Sequence, residues 1–304
     1  MHYITGKNTL SICVGTIRRK YLLSLLKSTS FYVKLEKNIF REEIMPSLKI
    51  VTFNMRCPWD TDGINSFMHR AGLIYDKINL EKPDIIGFQE CTPKNMELME
   101  KLFPEYSFHG TYRSKNYWGE GIFTAVKKDL FRVVACEIFW ISPTPYIPGS
   151  RFPTQSDCPR ICNVTEIRRR KDDKMIRLFN IHLDHISEEA RRDGMRCVLD
   201  KMAEYSARLP MTTVILGDFN ATPQSIAIQM CAQHNAPTLT DVTSALAYTY
   251  HDFGKQSDKV PFKIDYIFAS PDLAGAHVKT ETWKDEHNGI YLSDHYPVSA
   301  EFEY

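Results

Sequence analysis

No stretch of this chain is apolar enough to span a membrane. The longest uncharged run near the N-terminus, residues 8–17, falls well short of the roughly 18–20 apolar residues a span requires. Residues 1–44 also lack the unbroken apolar core and small-residue cleavage site of a secretory signal, so a cytoplasmic protein is expected. There is no Gly-x-x-x-x-Gly-Lys-Ser/Thr loop, which excludes phosphate binding of the P-loop kind. After Met45 there is no Gly/Ser- or Pro-rich linker, internal repeat or low-complexity tract. Large net charge is missing too: the sum of +1 argues against holding nucleic acid mainly through a broad basic surface. The eight cysteines show no repeated spacing, and Cys158 and Cys162 have no second Cys/His pair to complete a zinc site. They read as structural free thiols of a reducing compartment.

What is present is an ordinary globular composition, 43% hydrophobic and 25% charged over 304 residues. A chain of this length buries well over half of its unfolded surface and needs no staple to fold. The near-neutral sum hides an asymmetry. Residues 1–44 carry eight Lys/Arg against three acids, a surplus of five that leaves the remainder at −4. Residues 1–45 therefore read as a basic extension ahead of one domain over residues 46–304. Within the extension, residues 18–27 have the pattern of a short amphipathic basic helix, of the kind that binds anionic surfaces or serves as a targeting segment. The plainer reading is a mobile extension, or upstream sequence ahead of a start at Met45.

Residues 48–53, a β-branched apolar run, predict a buried strand. A helix from Ser66 places Ala71, Ile74 and Ile78 on one face and stops before Pro83; residues 84–88 form a further strand. A second helix opens at Pro93 and runs through Met96 and Met99. The middle is richer in strands, at residues 121–126, 131–141, 161–167 and 175–183, with 168–174 as a charged turn. A long helix over 187–207 leads to a strand at 213–216, a helix begun by Pro223, and strands near 264–268, 278–283 and 298–302. The first third alternates strand and helix, and the second half repeats the scheme, which implies two packed sheets with helices outside.

Polar residues recur where these strands end, the usual place for sites in layered folds. They are Asn54, Glu90, His182 with Asp184 and His185, Asp218 with Asn220, Asp265, and Asp294 with His295. One such residue reads as a satisfied cap; this many carboxylates, amides and histidines on strand ends do not. The set is rich in oxygen and free of thiol, which suits a hard cation such as Mg²⁺ or Mn²⁺ that shares its shell with water and phosphate. Histidines beside carboxylates suit proton transfer near neutral pH. Metal-assisted phosphoester hydrolysis uses both. Trp118, Tyr146, Phe152, Tyr250 and Phe253 fall in loop-like segments where an aromatic lines a pocket or simply packs.

These motifs, in order, resemble those of the endonuclease/exonuclease/phosphatase superfamily: Thr-Phe-Asn54, Gln-Glu90, Asn-Ile-His182-Leu-Asp184-His185, Gly-Asp218-Phe-Asn220, Ile-Asp265-Tyr-Ile and Ser-Asp294-His295-Tyr-Pro-Val. Gly119-Glu120, Cys158-Pro159-Arg160 and Thr249-Tyr250-His251-Asp252-Phe253 resemble a mostly bacterial branch of it, similar to CCR4-type catalytic domains. The resemblance implies an α+β fold, a four-layered αββα sandwich of two mixed sheets flanked by helices. It implies Glu90 as the principal ligand of Mg²⁺ or Mn²⁺, with Asn54 beside it and Asp294 as a second metal-side acid. Asp218 then orients or deprotonates the attacking water, Asn220 donates to a phosphate oxygen, and Asp265 pairs with His295. His182 stabilises the scissile phosphate; Arg160, Asp184, His185, Tyr250 and His251 are further candidates for substrate contact. The expected activity is hydrolysis of a phosphodiester or phosphomonoester. The alternative is an inactive relative serving as a binding scaffold. Nucleic acid, phospholipid and small phosphoester all stay open as substrates, and no obligate protein partner is expected.

Overall fold

Alternation along Ser47–Asn54 (β1) points Leu48 and Ile50 to one face and Val51 and Phe53 to the other, and all four are buried. A strand buried on both faces belongs in the middle of a layered body. The computed structural model describes residues 47–58, 60–256 and 262–304; the basic extension with its expected amphipathic helix lies outside them.

From β1 the chain runs through helix Phe67–Glu81 (α1) to Ile85–Cys91 (β2), which pairs with β1 in parallel from Ile50↔Ile85 to Asn54↔Gln89. Phe67, Ala71, Ile74 and Ile78 are the apolar face of α1, which ends where Lys82 turns left-handed ahead of Pro83. Pro93–Leu102 (α2) opens on proline, whose missing N–H costs nothing in a first turn. Tyr106–Tyr112 (β3) and Gly121–Lys127 (β4) follow as a hairpin. Phe131–Trp140 (β5), Ile161–Arg169 (β6) and Met175–His182 (β7) form an antiparallel meander. Helix Glu188–Arg208 (α3) then crosses to Thr212–Asp218 (β8), parallel to β7. Ile226–Ala232 (α4), Thr240–Asp241 (β9), Asp265–Ala269 (β10), Pro271–Ala274 (α5) and His277–Thr282 (β11) come next. The short hairpin Glu286–His287 (β12) and Ile290–Tyr291 (β13) precedes Val298–Glu303 (β14).

The strands assemble into two six-stranded mixed sheets, in the orders β11-β14-β1-β2-β4-β3 and β5-β6-β7-β8-β10-β9. Three apolar layers hold them. Leu48, Ile50 and Ile85 meet Leu178, Val214 and Ile267 between the sheets. Val51, Phe53, Ile86 and Phe88 pack under α1 and α2, and Phe179, Ile181 and Ile215 under α3 and α4. The result is the αββα sandwich. A polar seam also crosses the sheet interface: Gln89 Nε2 donates to Asn180 Oδ1 at 2.8 Å, and Thr124 Oγ1 to Asn163 Oδ1 at 2.8 Å. Bonds of this kind allow one register between the sheets and few others.

Most expected elements appear; the short β9, α5, β12 and β13 were not among them. Pro223 does not begin a helix; the chain turns there and α4 starts at Ile226, behind Ser225. Strand β3 is a further difference: Tyr106, Phe108 and Tyr112 alternate with Ser107, His109 and Thr111, but Gly110 breaks the pattern and the segment is an edge strand paired only with β4. No helix among the described residues is long and apolar enough to cross a membrane.

Candidate active site

The parallel pairs β1/β2 and β7/β8 end at the same edge of the sandwich, so Asn54, Glu90, His182 and Asp218 are delivered together. Asp265 opens β10 directly opposite Asp218, and Asp294-His295 lies just ahead of β14. Glu90 reaches inward through a local irregularity. The β2/β4 register slips between Phe88 and Cys91, and Glu90 takes a left-handed φ of 57°. Such a bulge re-aims one side chain without ending the strand. Gly217, immediately before Asp218, has φ 146°, and a Cβ there would stand 1.9 Å from the Ile181 carbonyl oxygen. Glycine is therefore required at the start of the Gly-Asp-Phe-Asn motif.

Asn54 is the hub. Its Nδ2 donates to Glu90 Oε1 at 3.1 Å and to Asp218 Oδ2 at 3.0 Å, while its Oδ1 accepts the Arg56 N–H at 2.9 Å. The Asn54 NH₂ group thus ties two carboxylates together, and its Oδ1, which accepts one N–H, keeps a second lone pair for the cation it was expected to help hold. Glu90 Oε2 accepts from the Cys57 N–H at 2.8 Å and the Cys57 thiol at 3.1 Å. Burial alone would raise the Glu90 carboxyl, but these donors, the nearby His295 charge and the Asn54 amide hold it down at about 2. Glu90 is thus ready to bind a cation as a carboxylate.

Asp218 Oδ2 lies 3.4 Å from His182 Nε2 and 3.8 Å from His295 Nε2. Burial raises its carboxyl to about 7, aided by the Asp265 charge and opposed by His295, the Asn220 N–H and Asn54. His295 Nδ1 stands 2.9 Å from Asp265 Oδ2. Burial would lower this imidazole, but Asp265, Asp218 and Asp294 outweigh it and raise it to about 10. His182 moves the other way. Burial, then repulsion from Arg160 and Arg113, keeps it neutral. Asn220 donates its backbone N–H to Asp218 Oδ1 at 2.8 Å and its Nδ2 to the Leu183 carbonyl at 3.1 Å.

These groups face an open cleft of about 830 Å³, lined among others by Glu90, Glu120, His182, Asp218, Asn220, Asp294 and His295. Arg160, His185 and Tyr250 also line it. Tyr250 meets the His295 ring edge-on at 4.9 Å; of the five loop aromatics named above, it is the one that lines the cleft. Asp184 and His251 do not line it. The Asp184 carboxylate accepts the N–H groups of Ile186 and Ser187 and the Ser156 hydroxyl, so it fixes the entry to α3. The His251 ring stacks on Tyr296 at 3.9 Å and its Nδ1 accepts the Gly254 N–H.

Several lining residues carry no sequence signal for the site. Arg56 follows Asn54 with a left-handed φ of 54° and pairs with Asp62 at 3.1 Å and Asp294 at 3.5 Å. Arg113 pairs with Glu120 at 2.8 Å across the β3–β4 turn. Cys57, grouped with the structural thiols, sits in the site itself. Its ligand atom and those of Glu90 and Glu120 lie within 4.8 Å of one another. Burial and then the Glu90 charge push the Glu120 carboxyl up, with Arg113 opposing. Two carboxylates crowded in this way, with Asp294 facing the same Glu90 charge, fit a hard divalent cation.

A family model for the endonuclease/exonuclease/phosphatase family matches residues 51–295. The chain belongs to this family. An endonuclease/exonuclease/phosphatase from Bacteroides vulgatus superposes with a TM-score of 0.78 at 27% identity, over 84% of this chain and 98% of that one. A mannosyl-6-phosphatase of Bacteroides thetaiotaomicron gives 0.73 at 26% identity, covering 83% and 98%. Among curated proteins, the uncharacterized protein L388 of Acanthamoeba polyphaga mimivirus is 26% identical over 186 residues, 57% of this chain and 67% of that one.

Proposed function

We propose that the chain is a divalent-cation-dependent hydrolase of phosphoester bonds, acting by direct attack of water on phosphorus. The observation that carries this reading is the convergence of Glu90, Asp294, Asp218, His182 and the Asp265–His295 pair on one cleft, around a single Asn54 hub. Glu90 and Asp294 hold the cation, Mg²⁺ or Mn²⁺, with Glu120 within reach and Asn54 fixing Glu90. When bound, the cation supplies charge stabilisation to a phosphate oxygen.

Asp218 accepts the proton of the attacking water as the new phosphorus–oxygen bond forms and the bond to the leaving oxygen breaks. Neutral His182 donates its N–H toward a non-bridging oxygen, and the second N–H of the Asn220 amide, whose first is given to the Leu183 carbonyl, does the same. His295, held in its charged form by Asp265, offsets the negative charge that develops on phosphorus. The mannosyl-6-phosphatase among the similar structures supports a phosphomonoester as one class of substrate. The test is hydrolysis of bis(p-nitrophenyl) phosphate and p-nitrophenyl phosphate with Mg²⁺ or Mn²⁺, comparing the wild type with Glu90→Ala and His295→Ala. Loss of turnover in both variants is expected; equal rates in all three proteins would overturn the reading.

A further inference from the structure

Among the described residues four arginines line the cleft, and they divide into two kinds. Arg56 and Arg113 are neutralised in place, by Asp62 with Asp294 and by Glu120. Arg160 and Arg191 form no ion pair among the described residues. Arg160 is only 4% exposed, yet its Nε and Nη1 are buried without a hydrogen-bond partner; its Nη2 meets His185 Nδ1 at 3.0 Å. Arg191 donates Nη1 to the Asp184 carbonyl at 3.0 Å, and its buried Nε has no partner. Leaving donors of a charged group buried and unpaired is costly, and such groups in a native fold call for a ligand that pairs them.

The arrangement cannot be attributed to fold stability. Arg160 sits beside Arg113, whose charge, after burial, is the next largest influence against its ionisation. His185 is likewise held down by burial and then by Arg160. Asp218 and Asp184 act on Arg160 only through space, without an ion pair, so the orphaned N–H groups of Arg160 and Arg191 are left for an anion to pair. The planar fork of a guanidinium matches phosphate oxygens two at a time. Arg160 and His182 line one small recess, so an anion on Arg160 lies next to the scissile group while remaining a separate contact.

We propose that Arg160, Arg191 and His185 form a receptor for a second phosphate of the substrate, adjacent to the phosphate that is hydrolysed. This rests on the phosphoesterase reading and narrows it. The preferred substrates are those carrying two neighbouring phosphates, whether a small bisphosphate or a short nucleotide chain with a 5′-phosphate.

The test uses matched ligands that differ by one phosphate: adenosine 3′,5′-bisphosphate against 3′-AMP, and the dinucleotide pTpT against TpT. Binding is measured by calorimetry in chelator, where no turnover occurs, on the full chain. The second phosphate should tighten binding by about 10- to 100-fold. That gain should fall to within about twofold in Arg160→Lys and in Arg191→Gln, each checked for folding by circular dichroism. Arg191 is less buried, so its variant decides the matter if the Arg160 variant fails to fold. A gain in the first ligand pair alone assigns the receptor to small bisphosphates; a gain in the second alone assigns it to nucleotide chains. Equal affinity within both pairs, or a gain that survives both substitutions, overturns the proposal. If instead the second phosphate tightens binding but no phosphoester is hydrolysed with metal, the hydrolase reading fails and the receptor stands.

Discussion

Asp265 and His295 face each other at 2.9 Å across the base of the cleft, one opening β10 and the other lying just ahead of β14. The same imidazole turns its far nitrogen toward Asp218, 3.8 Å away. A carboxylate behind the ring fixes its orientation and its charge, so that its second N–H points at the reacting centre. Replacing Asp265 with Asn keeps the shape and removes that support. Turnover of a chromogenic phosphoester should fall by about 10²- to 10³-fold with little change in KM. A variant within twofold of the wild type would separate the pair from the chemistry.

The motif glycine has a backbone role that can be tested apart from chemistry. Gly217→Ala forces a Cβ to within 1.9 Å of the Ile181 carbonyl oxygen, in a backbone conformation side chains rarely adopt. Both the strain and the clash act on the β7/β8 pairing that delivers Asp218. The substitution should cost about 2–4 kcal/mol in chemical denaturation and reduce activity with it. Unchanged stability would mean that β8 moves aside more freely than its pairing indicates.

Arg70 supports the site from behind. Fully buried on α1, it donates to the carbonyls of Asn65, Met55, Leu292 and Arg56 at 2.6–3.1 Å. It thereby clamps the turn that carries Asn54, Arg56 and Cys57. Lysine offers three donors on one atom and cannot span these four oxygens. Arg70→Lys should lose about 2–4 kcal/mol of stability and weaken metal binding, read by titration of the cation against activity.

Asp184 makes a prediction in pH. Burial would raise its carboxyl, but the Ser156 hydroxyl and the N–H groups of Ser187 and Ile186 hold it below its ordinary value. A depressed carboxyl stabilises the fold above its unfolded value of about 3.9 and loses that contribution as pH falls through the lower folded value. Denaturation series in the wild type should therefore show stability declining on the acid side, below about pH 4. Asp184→Asn, which cannot accept at both oxygens, should be destabilised by about 1–3 kcal/mol at pH 7 and show a shallower acid decline. Parallel curves for the two proteins would contradict the role assigned to Asp184.

The layered fold was legible because apolar strand runs and helix faces repeat in the same order in both halves, and each motif falls at a strand end. Asn54, Glu90, His182, Asp218, Asp265 and His295 could be read from spacing and resemblance, and they lie together at one edge of the sandwich. Arg70 could not, since a charged residue within a helical pattern gives no sign that four distant carbonyls await it. The bulge that re-aims Glu90 was also hidden, as was the turn that brings Cys57 to it; both depend on left-handed backbone that no side-chain pattern encodes. Asp184 and His251 lie within the right motifs but do not line the cleft: Asp184 engages Ser156 and the start of α3, and His251 stacks on Tyr296, because motif membership fixes the segment and not the direction of each side chain.

The proposed hydrolysis depends on a divalent cation held by Glu90. The direct measurement is the rate of bis(p-nitrophenyl) phosphate hydrolysis after chelation and after stepwise return of Mg²⁺ or Mn²⁺, in the wild type and in Glu90→Gln. Expected are no turnover in chelator, full recovery in the wild type, and recovery reduced by at least about 10²-fold in the variant. Turnover that persists in chelator, or a variant that recovers like the wild type, would contradict it.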